Sequence, residues 1–243
     1  MIKPQIFTRI PPCDADLIRQ AQEIGVSDLH EGLGAVTGRL LLMSPRMRPL
    51  DPTRKIAGQA LTAYNYPGDN LMMHVALHYV QPGQVLVMTS GGGYQGALWG
   101  ELAGLQAQRK GAAGLICDGA VRDTQQLKEM GFPVWSTAVH ASHPEKRGPG
   151  SLNIPVVIDG VPVHQGDVIV ADADGVLVIP PDLLSHAIEF ARQRAEREIA
   201  IRAKIASGST LYEALSIENA VANMGADILD TTWQDATRVK RNG

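Results

Sequence analysis

The sequence predicts an α/β fold, and three observations carry that prediction. From residue 55 to residue 139, apolar β-branched runs alternate with stretches of helical spacing, the pattern of parallel strands joined by crossovers. Residues 153–180 change texture, with short strand-forming runs broken by Gly, Pro and Asp pairs. From Pro181 to about Ala206 the chain reads as one long charged helix.

Bulk properties narrow the field. A chain of 243 residues suits one large or two small domains and can bury a core. The net charge of −3 leaves no basic footprint for nucleic acid or an anionic membrane. No apolar run approaches the roughly 18 residues of a membrane span. Two cysteines, Cys13 and Cys117, make no disulfide framework, and Cys117 lies in an apolar run where it reads as a small buried hydrophobe. The opening "MIKPQIFTRIPPCD" lacks the apolar core of a signal peptide, so the expected setting is a reducing cytoplasm.

Taken in order, residues 14–25 read as a helix capped by Asp14 and stopped at Gly25, followed by a short helix over 26–34. Residues 55–66 alternate as a strand, 68–83 read as a helix closed by Pro82-Gly83, and 84–90 as a short buried strand. After three glycines, a helix is expected from about Gln95 to Lys110, with Ala97, Leu98, Leu102 and Leu105 on its apolar face. A strand at 113–119, a helix at 124–131 capped by Thr124, and a strand at 132–139 complete the alternation. Residues 140–151 read as loop, and tight turns are expected at Asp159-Gly160 and Asp174-Gly175. A second C-terminal helix is expected over 209–225, and the tail 226–243 has weak periodicity, to dock on a partner or fray.

Two places carry candidate chemistry. Gly91-Gly92-Gly93 lie where a strand gives way to a helix, which suits either a tight turn or an anion bound at bare backbone N–H groups. They fit neither the dinucleotide spacing nor a phosphate loop. Arg122-Asp123 follow the Asp118-Gly119 strand end, where open α/β sheets bind ligands. Arg122 can offer a planar fork to a carboxylate and Asp123 can hold a divalent cation; the pair can equally be a helix cap. Asp69 reads as a cap, with Asn70 and His74 one turn apart on one face of the following helix. No histidines have the HExxH spacing of a zinc site.

Glu101, twenty residues, then Arg122-Asp123 resembles the acidic-X20-Arg-Asp signature of the RraA-like superfamily. That group contains 4-hydroxy-4-methyl-2-oxoglutarate / 4-carboxy-4-hydroxy-2-oxoadipate aldolases and protein regulators of ribonuclease E. The similarity runs over roughly residues 14–222, through "GDNLMMHVAL", "GELAGLQAQRKGAAGLICDGAVRD", "FPVWSTAV", "GDVIVADADGVLVIP" and "SGSTLYEAL". It implies an α/β chain with a swivelling β/β/α core, spanning 1–225 as a single domain. The C-terminal helices of 180–225 would reach a neighbouring subunit of a homotrimer or a dimer of trimers. It also implies residue roles. Asp123 would bind Mg²⁺ or Mn²⁺ directly. Glu101, and Glu198 from a neighbouring subunit (with Glu196 as the other placement), would hold metal-bound water. Arg122 would bind substrate, as would Gly100, and the Leu102 and Ala103 backbone amides would contact the pyruvate carboxylate. Asn70 and His74 would line the pocket, and Tyr212 would reach a neighbour's pocket.

The reaction implied is cleavage of a 4-hydroxy-2-oxo acid bearing a further carboxylate. A divalent metal polarises the 2-oxo group and pyruvate leaves as its enolate, so oxaloacetate should be decarboxylated at the same site. A lysine Schiff base fits less well, because Lys55, Lys110, Lys128, Lys146 and Lys204 read as exposed or terminal. The regulator is the second reading, and the C-terminal helical extension favours the enzyme. Glu101 stands where some of these aldolases carry aspartate, which leaves the substrate open.

Overall fold

A computed structural model describes residues 3–235. They divide into two compact units, with the boundary between Arg194 and Ala195. In the first unit the helices α1 (Ala15–Glu23), α2 (Val26–Gly32) and α3 (Ala35–Leu41) precede a two-residue strand β1 (Arg48–Pro49). The alternating section follows as β2 (Ile56–Asn65), α4 (Leu71–Tyr79), β3 (Val85–Thr89), α5 (Glu101–Arg109), β4 (Gly114–Val121), α6 (Thr124–Met130) and β5 (Val134–Val139). The short strands are β6 (Gly150–Leu152), β7 (Val156–Ile158), β8 (Val161–Val163), β9 (Val168–Ala171) and β10 (Val176–Ile179). Helix α7 (Pro181–Ala206) begins in the first unit and ends in the second.

β2, β3, β4 and β5 pair in parallel, as the alternation predicts. Their side chains alternate between two buried faces, so the runs are apolar throughout. Leu86, Met88, Leu115 and Cys117 point into the core under α4, α5 and α6. Val85, Val87, Ile116 and Trp135 point to the other face, against the β7–β8 hairpin. Cys117 is fully buried, and that burial pushes its thiol pKa far above the usual range, in keeping with a packing role. The remaining edge of β2 is shared: Ile56–Gln59 pair antiparallel with β9, and Ala63–Asn65 with β6. A third core gathers α1, α2 and the first half of α7 over β9 and β10.

Several expectations change. Asp14 caps α1 as predicted, accepting from the Asp16 N–H at 2.8 Å. The helix expected from Gln95 starts six residues later, at Glu101. Residues 97–99 are instead captured by the end of β4: Leu98 N–H donates to Ala120 O at 2.8 Å and Arg122 N–H to Trp99 O at 2.9 Å. Gly91 and Gly92, at φ +71° and +80°, therefore turn the chain out of β3 and do not open α5. β4 runs on to Val121, so Asp118 lies inside the strand and not at its end. The N-cap of α6 is Asp123, not Thr124.

In the second unit the end of α7 is followed by α8 (Leu211–Ala214) and α9 (Ile217–Met224). The single helix expected over 209–225 is split by Ser216, which adopts a left-handed conformation at φ +53°. Thr210 and Glu213 form a reciprocal capping box ahead of α8. Residues 236–243 of the tail considered above lie outside the described residues.

Candidate active-site cleft

The captured segment 97–99 delivers Gly100 against the residues that follow β4. Asp123 sits there in the left-handed region, at φ +55° and ψ +41°. A non-glycine residue in that region is uncommon, and Asp and Asn tolerate it better than most. The conformation turns the carboxylate back toward α5, where Oδ2 accepts the Glu101 N–H at 3.1 Å. Arg122 Nε lies 3.7 Å from the same oxygen. Among the described residues Oδ1 has no hydrogen-bond partner, and the side chain is 40 % exposed.

Gly100 is required by close approach. A Cβ at this position would stand 2.5 Å from Asp123 Oδ2 and 3.3 Å from Arg122 Cγ. The glycine also leaves the start of α5 uncovered. First-turn N–H groups have no partner within a helix, and among the described residues those of Leu102 and Ala103 have none outside it; both residues line the same cleft as the Arg-Asp pair.

These groups open on a cleft of about 230 Å³. Its lining includes Gly100, Leu102, Ala103, Arg122 and Asp123 from the strand-end side, and Asn70 and His74 from α4. Seven of the residues singled out in the sequence thus meet at one place. Asp69 does act as a cap, accepting the Leu71 N–H at 2.8 Å, and Asn70 takes the N-cap position of α4. Asn70 is 5 % exposed, and its Oδ1 has no hydrogen-bond partner among the described residues. His74 lies one turn on. Partial desolvation, then the charge of Lys146, hold its pKa below the ordinary 6.5, against an upward pull from Asp69.

Three of the expected site residues stand differently. Glu101 meets Asp123 through its backbone, and its exposed side chain is not part of the cleft wall. Glu198 and Tyr212 belong to the second unit, where Glu198 accepts from Arg202 at 2.8 Å and Tyr212 is 45 % exposed. Among the described residues no cluster of three or more His, Cys, Asp or Glu is placed to hold a metal ion. Trp99, Gln106 and Pro144, which the sequence does not mark, line the same cleft, and so does Lys146, which reads only as an exposed lysine. Pro144 and Lys146 come from a loop without helical or strand periodicity, so no pattern marked them.

Comparison with known proteins bears on the family and the fold. A protein of Halalkalibacterium halodurans named "Putative 4-hydroxy-4-methyl-2-oxoglutarate aldolase" is 31% identical over 181 residues, covering 74% of this chain and 84% of its own length. One of the same name from Burkholderia mallei is 39% identical over 157 residues, covering 65% of this chain and 94% of its own. Among solved structures, Streptomyces coelicolor RraAS2, described as an unusual member of the RNase ES inhibitor RraA protein family, superposes with a TM-score of 0.70. It is 28% identical, over 79% of this chain and 100% of its own. A protein of Pseudomonas syringae pv. tomato shares the fold, with a TM-score of 0.74 and 24% identity over 84% of this chain and 98% of its own. Residues 26–178, which hold the parallel strands and the whole cleft, match the RraA-like (Aldolase/RraA) family, and the chain belongs to it.

Proposed function

We propose that the chain is a divalent-metal-dependent aldolase that cleaves a 4-hydroxy-2-oxo di- or tricarboxylic acid to pyruvate and a second oxo acid, and also decarboxylates oxaloacetate. The observation that carries this reading is the Arg122-Asp123 pair, held at the mouth of α5 with one carboxylate oxygen uncommitted. A single open carboxylate fits Mg²⁺ or Mn²⁺, which prefer oxygen donors and keep several waters. Held on Asp123, such a cation would supply Lewis acidity at the 2-oxo group.

The chain's own residues do the rest. The Leu102 and Ala103 N–H groups at the positive end of α5 receive the pyruvate carboxylate. Arg122 orients the substrate and adds positive charge where the three-carbon fragment becomes electron-rich. Glu101, whose exposed side chain lies outside this chain's own cleft wall, and Glu198 from a neighbouring copy would hold the water or hydroxide that takes the proton from the C4 hydroxyl and returns it to C3 of the three-carbon fragment, giving pyruvate. Asn70 and His74 form the wall that faces the leaving half, and Tyr212 of a neighbouring copy closes the cleft. This assigns the cytoplasm as the setting and a homotrimer, or two stacked trimers, as the working assembly.

Pyruvate release from 4-hydroxy-4-methyl-2-oxoglutarate and from oxaloacetate tests the reading. Activity is expected with Mg²⁺, is expected to vanish on EDTA treatment, and should be absent from Asp123→Ala. Turnover that survives either treatment overturns it. The likeness to RraAS2, at 28% identity, favours a second reading as a ribonuclease regulator. A wild-type protein that releases no pyruvate yet inhibits an RNase E-type enzyme would select that reading.

A further inference from the structure

The cleft holds a second cation that the reading above leaves without a task. Lys146 lines it from the α4 side, whereas Arg122 lines it from the end of β4. Among the described residues Lys146 has no ion-pair partner, while its neighbours Glu145 and Arg147 pair with each other at 3.4 Å.

Lys146 is exposed, but its backbone is not loose. Asp69, 3 % exposed, accepts the Gly148 N–H at 2.9 Å and the Arg147 N–H as well. On the other side Asn70 N–H donates to Glu145 O at 3.0 Å, and Glu145 N–H to Gly68 O at 2.8 Å. Lys146 is thus held between two backbone clamps beside the N-terminus of α4. Its charge is felt at His74, on the same wall. That wall also carries the unpartnered Asn70 Oδ1, a buried acceptor that a hydroxyl-bearing ligand can satisfy.

An unpaired ammonium on a fixed loop is a natural anchor for an anion. Arg122 and the α5 N-terminus already serve one carboxylate in the reading above, on which this step rests. We propose that Lys146 binds the distal carboxylate of the substrate and so selects 2-oxo dicarboxylates over 2-oxo monocarboxylates of the same length.

The test is binding, measured by titration calorimetry with Mg²⁺ present. The probes are 2-oxoglutarate and 2-oxopentanoate, which differ at the far carboxylate and are not aldol substrates. Wild type is expected to bind 2-oxoglutarate about tenfold more tightly, a modest figure because Lys146 is solvent-exposed. Lys146→Met brings the two Kd values within about twofold of each other, and Lys146→Arg keeps most of the preference. Equal affinities in wild type, or an intact preference in Lys146→Met, overturn the proposal and leave the oxo-acid reading standing. Binding of neither probe overturns both.

Discussion

Asp118 and Asp123 are five residues apart, one inside β4 and one just past its end, and they live in opposite environments. Asp118 is 6 % exposed and committed at both oxygens: Oδ2 accepts the Asp159 N–H at 3.0 Å, and Oδ1 accepts the Thr137 hydroxyl at 3.3 Å. Its partner Asp159 accepts from Arg46 at 2.8 Å, and from the Ser44 N–H at 2.8 Å. Asp123 keeps one oxygen free at a cleft. A buried carboxylate with every acceptor used fastens the chain, whereas a half-open one is available to a ligand. Sequence spacing alone does not separate the two; the hydrogen-bond inventory does.

The contrast can be broken in both directions. The largest effect is expected at Asp123→Asn, which tolerates the left-handed backbone but removes the charge. Pyruvate release should fall by about a thousandfold, with the thermal midpoint held within about 3 °C. Next comes Gly100→Ala, whose methyl must displace the Asp123 carboxylate. We expect kcat to drop by about a hundredfold, the usual penalty of an ångström-scale misplacement, with the protein still folded by circular dichroism. Asp118→Ala should do the reverse. It strips partners from the Asp159 N–H and Thr137, lowering stability by about 2 kcal/mol in urea titrations, while the folded fraction keeps its kcat. The smallest effect sharpens the picture of the cleft. By NMR, His74 should titrate below 6.5, and Lys146→Met should raise its midpoint by removing a nearby positive charge. Because the folded-state pKa is depressed, the contribution of His74 to stability is complete above pH 6.5. It is lost as the pH falls through the lowered pKa, since the unfolded chain takes up the proton more readily.

Much of this is legible in the sequence alone. The strand–helix alternation over 55–139 corresponds to the parallel sheet, because buried strands and crossover helices leave different periodicities. Arg122, Asp123, Asn70 and His74 stand out in the sequence, and they do share a cleft. What misled was a local rule applied where a tertiary contact wins. Ala97 and Leu98 have helical spacing with Leu102, yet the open edge at the end of β4 takes their hydrogen bonds. Thr124 is a favoured cap residue, but the chain conformation at Asp123 sets where α6 begins. Lys146 reads only as an exposed lysine, since its place at the cleft depends on Asp69, far away in sequence, gathering the 147–148 amides.

The strapping of residues 97–99 along the last turn of β4 has a consequence for how the chain tolerates length changes. Leu98 and Arg122 each donate across this seam, so side chains on either side are phased against each other. One residue added between 97 and 100 would shift that phase, carry Gly100 away from Asp123 and push a bulkier neighbour into its place. The same insertion at Gly91 or Gly92, where added Cβ atoms meet nothing within 4 Å, would only lengthen a bulging loop. Indels are expected to accumulate upstream of the seam and stop at it.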